Sequence, residues 1–188
     1  MSRASLRNDA GRRVIVSLGS NVAPRREFLS RALDALSALP ATRLVRASTV
    51  VETDPEGVPD EFADLKFLNQ AAVFETDLGP QEFARCMHAI EDDLGRVRTV
   101  RNGPRTIDID LVDFGGVRMN TPELTLPHPR AAQRDFVLRP LAELGIDRSE
   151  IMVYRCGNKI HWPSKGEGRA SARPRTRRSA SLPTGRSM

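Results

Sequence analysis

The sequence predicts an α+β fold, a single sheet with helices on one face and the other face left open for substrate. Three observations lead there. Short apolar strands alternate with two amphipathic helices in the order strand, helix, strand, strand, helix, strand. The last of these strands, in GPRTIDIDLVDF, carries two aspartates on one side. With 188 residues, 39% of them hydrophobic, the chain suits one soluble domain with a real core and would make two domains cramped.

Val14 to Leu18 is a short buried strand that ends in a Gly-Ser-Asn turn. Pro24 permits a helix start, and Leu29, Ala32, Leu33, Leu36 and Leu39 recur at helical spacing up to Pro40. Thr42 to Thr53 is β-branched and partly alternating, whereas Asp54 to Asp64 is a polar loop with two prolines. Lys66 to Thr76 reads as the next strand. Pro80 stands where a first-turn proline belongs, and Phe83, Met87, Ile90 and Leu94 mark a second helix that stops at Gly95. A basic loop, Arg96 to Arg105, then leads into the acidic strand. This βαββαβ order is that of a ferredoxin-like core, here followed by C-terminal additions. Successive side chains on a strand point to opposite faces, so Asp108, Asp110, Val112 and Phe114 should share one side, and Ile107, Ile109 and Leu111 the other. Ile107, Ile109 and Leu111 suit the helix side. The two carboxylates then lie on the open side, where their repulsion calls for a cation or basic groups.

The net charge of +5 is not spread along the chain. Of 29 basic and 24 acidic residues, seven and one fall in residues 163–188, which leaves 22 against 23 in the rest. The body is therefore nearly neutral, and the charge belongs to a tail rich in Ser, Arg, Pro and Gly, the composition of a disordered segment. The expected organisation is a flexible start over residues 1–12, one folded domain over 13–162 and this basic tail over 163–188. No stretch approaches the roughly 18 apolar residues of a membrane span, and MSRASLRNDAGRR lacks the apolar core of a secretory signal, so a cytoplasmic protein is expected. Cys86 and Cys156 make no metal or redox spacing, and Cys86 falls among apolar helical positions, as a small buried thiol would. His88 and His161 have no partner at metal spacing, and Trp162 is expected to pack on the C-terminal part of the fold.

The chemistry concentrates in two segments. GRVRTVRNGPR brings Arg96, Arg98, Arg101 and Arg105 up to Asp108 and Asp110, and LPHPRAAQRDF adds His128, Arg130, Arg134 and Phe136. Guanidinium groups pair with phosphate oxygens, and hard cations such as Mg²⁺ take carboxylate oxygens while keeping phosphates as further ligands. Spacing alone leaves two readings open, a Mg-nucleotide site and a surface network of loop-to-strand ion pairs. No Walker-type phosphate loop occurs, so side chains would have to hold the phosphates.

GPRTIDIDLVDFG, with VSLGSN before it, FLNQAAVFET between and LPHPRAAQRDFVLRPL after it, resembles the 6-hydroxymethyl-7,8-dihydropterin pyrophosphokinases of folate biosynthesis over about Val14 to Leu144. The resemblance implies a ferredoxin-like core and transfer of pyrophosphate from ATP to the pterin hydroxymethyl oxygen, with release of AMP. It implies that Asp108 and Asp110 are ligands for two Mg²⁺ ions and, with Arg96 and Arg105, catalytic. Arg96, Arg98, Arg105, His128, Arg134 and Glu91 then belong to ATP binding. Phe67 and Phe136 match the aromatic pair around the pterin, and Asn69 and Thr53 its hydrogen-bonding partners. A monomer acting on small molecules, with no nucleic acid or membrane required, is expected.

The sequence departs from that pattern at Asn102, where the family usually has a tryptophan that closes over the pterin. It also departs in Thr53-Asp54-Pro55-Glu56-Gly57, which keeps the Thr, Pro and Gly but puts the charges of Asp54 and Glu56 where an uncharged residue is common, and at His88, where glutamine is expected. Two alternatives follow. One is a divergent paralogue that binds nucleotide or a related pterin with little turnover. The other is an RNA-binding module, because RNA-recognition domains share the βαββαβ order.

Overall fold

The computed structural model describes residues 12–97, 103–151, 154–156 and 159–161. Strands β1 (Arg12–Ser20), β2 (Thr42–Ala47), β3 (Val51–Thr53), β4 (Phe67–Thr76) and β5 (Asp108–Phe114) form one sheet in the order β2-β4-β1-β5, with β3 also on β4. Every neighbouring pair is antiparallel. This is the ferredoxin-like arrangement, and it puts β1 in the interior. Val14, Ile15, Val16 and Leu18 are accordingly buried on both faces of the sheet, which is why they read as a continuous apolar run.

Helices α1 (Arg25–Ser37) and α2 (Pro80–Asp93) cover one face. Leu29, Ala32 and Leu36 from α1 join Phe83, Met87 and Ile90 from α2 against Val14, Val16, Leu18, Phe74, Ile109 and Leu111. Phe83 lies between Phe74 and Phe114, at ring-centre distances of 6.4 and 6.1 Å. Pro80 takes the first helical position of α2, and Gly95 follows the helix with φ +76°, a left-handed turn that glycine makes without strain.

The segment Thr42 to Thr53, expected as one strand, is two. The break is at Ser48, whose N–H donates to the Ala71 carbonyl (2.9 Å), while its Oγ accepts from the Ala71 N–H (3.0 Å) and its carbonyl accepts from Gln70 Nε2 (2.8 Å). These bonds pin the corner to β4, so β3 can start afresh with Val51 opposite Asn69 and Thr53 opposite Phe67.

The C-terminal addition changes the second face. Helix α3 (Asp135–Glu143) lays Val137 and Leu141 on Ile15, Ala71, Val73 and Val112, so this face is open only beyond α3. The middle of β4 is therefore not the exposed surface that an RNA-recognition sheet needs. Among the described residues there are also two small hairpins, β6 (Met119–Asn120) with β7 (Thr125–Leu126) and β8 (Tyr154–Cys156) with β9 (Lys159–His161).

Phe114 does not share a side with the aspartates. Pairing runs evenly from Gly19 opposite Asp108 to Val16 opposite Leu111, then Ile15 faces Asp113 and Val112 is the extra residue. A bulge of this kind shifts the alternation by one residue, which turns Phe114 to the helix side, while Val112 stays on the aspartate side, under α3. Cys86 is half-buried rather than buried. Arg98, Arg101, Asn102 and Trp162 lie outside the described residues.

Candidate active site

The open part of the second face is built by the same two-residue alternation that builds the core. In β1, Val16 and Leu18 face the helices, so Ser17 and Gly19 face the other way. Their cross-strand partners are Asp110 and Asp108 on β5 and Ala71 and Asn69 on β4. Phe67 lies one alternation further along β4. The segment after β7 brings His128, Arg130 and Arg134 over this patch, and α3 contributes Phe136. Together they line a cleft of about 420 Å³, with Thr53 and Glu56 at its rim. Arg96, Arg105, Asp108, Asp110, His128, Arg134, Phe67, Asn69, Thr53 and Phe136 from the sequence reading all meet there. Arg98 lies outside the described residues. Glu91 is buried beneath the cleft and does not line it.

The two aspartates have different surroundings. Asp108 is clasped by Arg96 and Arg105, the Arg105 Nη1 donating to its Oδ2 at 2.6 Å. Arg96 is held in turn by Glu91, whose Oε1 also accepts the Ile109 N–H at 2.7 Å and whose Oε2 is 3.2 Å from His88 Nδ1. Burial works against the Arg96 charge, but Asp108 and Glu91 outweigh it and the guanidinium pKa ends above its usual value. Asp110 has looser company. Arg134 Nη1 is 3.6 Å from Oδ2 and His128 Nε2 is 3.9 Å from Oδ1, too far for good hydrogen bonds. Burial first, and the neighbouring Asp108 second, push the Asp110 carboxyl up to about 6.

His128 is positioned by its backbone. Its N–H donates to the Val112 carbonyl at 2.8 Å, and its Nδ1 accepts the Arg130 N–H at 3.2 Å. The ring proton therefore sits on Nε2, the nitrogen that faces Asp110. Burial, followed by the charges of Arg134 and Arg130, lowers its pKa to about 4, so near neutral pH the ring is an uncharged donor.

Arg105 is fixed at its main chain by Asn21, whose Oδ1 accepts the Arg105 N–H at 2.7 Å and whose N–H donates to the Arg105 carbonyl at 3.2 Å. The Arg105 guanidinium lies 5.3 Å from the Phe67 ring centre, and that of Arg134 lies 5.3 Å from Phe136. Asn69, almost fully buried, donates through Nδ2 to Thr53 Oγ1 at 2.8 Å. Its amide is thus turned so that Oδ1 points toward Gly19. A Cβ at residue 19 would meet that oxygen at 3.0 Å, so glycine there leaves the amide its place.

Ser17, Gly19 and Asn21 read in the sequence only as parts of a strand and its Gly-Ser-Asn turn. The signal was present in RVIVSLGSN, where they alternate with buried Val16 and Leu18, but small residues in a turn-like run carry no chemistry of their own. Among the described residues no group of three His, Cys, Asp or Glu side chains forms a metal cage. The donors present do fit Mg²⁺, which binds through one or two carboxylates and takes its remaining oxygens from phosphates and water. Among the described residues Asp110 has no close hydrogen-bond partner and the buried Nε of Arg105 has none, as expected where a cation and an anionic substrate meet.

The family model for 7,8-dihydro-6-hydroxymethylpterin-pyrophosphokinase (HPPK) matches residues 15–146. Among curated proteins, the 2-amino-4-hydroxy-6-hydroxymethyldihydropteridine pyrophosphokinase of Pseudomonas aeruginosa is 44% identical over 135 residues, covering 72% of this chain and 82% of the relative. The enzyme of the same name from Bacillus subtilis is 41% identical over 129 residues, covering 69% and 75%. The fold is similar to that of Plasmodium falciparum HPPK-DHPS, with a TM-score of 0.53 at 13% identity, over 74% of this chain and 41% of that longer one. The match to the family model and these identities show that the chain belongs to the 7,8-dihydro-6-hydroxymethylpterin-pyrophosphokinase family.

Proposed function

We propose that this cleft transfers pyrophosphate from ATP to the hydroxymethyl oxygen of 6-hydroxymethyl-7,8-dihydropterin, giving AMP and the pterin diphosphate. In that reaction the hydroxymethyl oxygen attacks the β-phosphorus and gives up its proton to solvent, the bond from the β-phosphorus to the oxygen bridging it to the α-phosphorus breaks, and AMP leaves with that oxygen. The observation that carries the reading is one cleft holding both an Asp108–Asp110 pair ringed by Arg96, Arg105, Arg134 and His128 and an aromatic and amide set, Phe67, Phe136, Asn69 and Thr53.

Asp108 and Asp110 would hold two Mg²⁺ ions, which supply Lewis-acid neutralisation of charge spread over the phosphates. Arg96 and Arg105 hold Asp108 in place and, once phosphate oxygens arrive, add donors to them. Neutral His128 donates from Nε2 without adding charge, and Arg134 brings a planar pair of donors from the same side. Phe67 and Phe136 bind the faces of the flat heterocycle, while Asn69, locked by Thr53, reads its edge. Glu91 acts at one remove, by orienting Arg96. The protein would work as a monomer in the cytoplasm, with residues 13–162 as the enzyme and the basic tail as an accessory.

Incubation with ATP, Mg²⁺ and the pterin, followed by mass analysis, tests the reaction class. Equal amounts of AMP and a pterin heavier by two phosphoryl groups are expected. ADP with a pterin monophosphate would make the protein an ordinary kinase, and nucleotide binding without any product would favour the divergent paralogue.

A further inference from the structure

The two proposed pterin-binding rings stand on different elements, Phe67 on β4 and Phe136 at the start of α3. The width of any slot between them therefore depends on how α3 is fixed along the sheet. Apolar packing by Val137 and Leu141 holds α3 down but is non-directional, and a helix on an apolar face can settle slightly along or across it. Among the described residues, the side-chain hydrogen bonds that tie this helix to another element are at its far end. There Glu143 accepts two bonds from Thr49, from the backbone N–H to Oε1 at 2.9 Å and from Oγ1 to Oε2 at 2.7 Å. Thr49 follows Ser48, which is bound to β4 at Gln70 and Ala71. Those residues come directly after Asn69, two along from Phe67. Two residues beyond Thr49 the chain enters β3, which carries Thr53 to Asn69.

We infer that Glu143 is a positioning residue that sets the gap between Phe136 and the Phe67, Asn69 and Thr53 group by fastening α3 to the Ser48–Thr49 corner. The inference rests on the proposed pterin site and deepens it. Glu143 is seven residues from Phe136, about two helical turns, and although Pro140 between them removes one helical hydrogen bond, it is buried with Val137 and Leu141, so a change in how the far end is seated shifts the helix that carries the ring. The clamp is made by hydrogen bonds whose geometry, rather than charge, does the fixing. A glutamine can still accept the Thr49 N–H through its oxygen and donate its amide to Thr49 Oγ1.

The test measures pterin dissociation by fluorescence and KM for pterin and for ATP in Glu143→Ala, Glu143→Gln and Thr49→Val, with Phe136→Ala as reference. Glu143→Ala is expected to weaken pterin binding and raise its KM by about tenfold, the scale of one lost hydrogen-bonded contact. KM for ATP should change by less than about twofold. Glu143→Gln should stay within about twofold of wild type, and adding Thr49→Val to Glu143→Ala should cost nothing further, because both remove the same bond. Equal losses in Glu143→Ala and Glu143→Gln, or a fall in thermal stability with an unchanged KM for pterin, would overturn the inference. Unchanged pterin binding in Phe136→Ala would instead remove the ring-sandwich assignment beneath it.

Discussion

The two faces of β5 differ in what their side chains ask of their surroundings, although they alternate along one strand. Ile109 and Leu111 are satisfied within the chain, packed under α1 and α2 with the Phe74, Phe83 and Phe114 rings. Asp108 and Asp110 are not. Asp108 needs two arginines, and Asp110 is half-buried beside Asp108, where its charged form is disfavoured. The helix side stabilises the molecule, as does the part of the other face under α3, whereas the uncovered cleft holds its charges at some cost. Mutations should therefore separate stability from turnover according to face.

The largest expected separation is at the aspartates. Asp108→Asn or Asp110→Asn should lower turnover by about a thousandfold or more, roughly 4 kcal/mol in the barrier, with circular dichroism unchanged. On the opposite face Phe83→Ala should cost ~3–5 kcal/mol of stability through the cavity it leaves, and the folded fraction should retain its KM values. Finding the reverse pattern would erase the contrast between faces.

Asp110 sharpens the comparison through pH. Its carboxyl is raised from 3.8 to about 6 in the fold, so the folded state favours the proton. That stabilising contribution is complete below about pH 4 and is lost as pH rises through about 6. Metal-free Asp110→Asn should therefore be more stable than the metal-free parent above pH 6, by ~1 kcal/mol once partial solvent access is allowed for, and the difference should vanish near pH 4. Thermal melts across pH in a chelator would measure it. An equal stability at every pH would show that burial of this charge is not costly. In the same range Mg²⁺ binding should weaken as pH falls below about 6, because protons compete for Asp110.

Smaller effects are expected at the pterin end. Gly19→Ala puts a methyl 3.0 Å from Asn69 Oδ1 and should raise KM for the pterin several-fold, about 1 kcal/mol, with little change for ATP. Asn102→Trp should lower the apparent KM for the pterin if the residue expected to close the site is what the sequence lacks. An unchanged or higher KM would discard that explanation.

Much of this was legible in the chain. Leu29, Leu36, Phe83, Met87 and Ile90 revealed the helices because burial imposes a 3.6-residue period, and Asp108 and Asp110 stood out because charges interrupt an apolar strand. Period-two reasoning failed at Phe114, since a bulge at Val112 is set by pairing with β1 and has no local signature. It failed again at Ser48, where the break comes from bonds to Gln70 and Ala71 more than 20 residues away in sequence. Glu91 could be flagged as acidic but not placed, because only the packed helix shows its carboxylate turned inward to Arg96 and the Ile109 N–H. The Glu143–Thr49 clamp spans 94 residues and left no trace in either segment.

The central claim is that the paired aspartates on the uncovered face hold the machinery of pyrophosphoryl transfer. The most direct measurement is pterin-dependent AMP release from ATP and Mg²⁺ by the parent protein and by Asp110→Ala, with both proteins shown to melt cooperatively. The account predicts stoichiometric AMP and pterin diphosphate from the parent and a loss of about a thousandfold or more in the variant. Comparable AMP release by folded Asp110→Ala would contradict it.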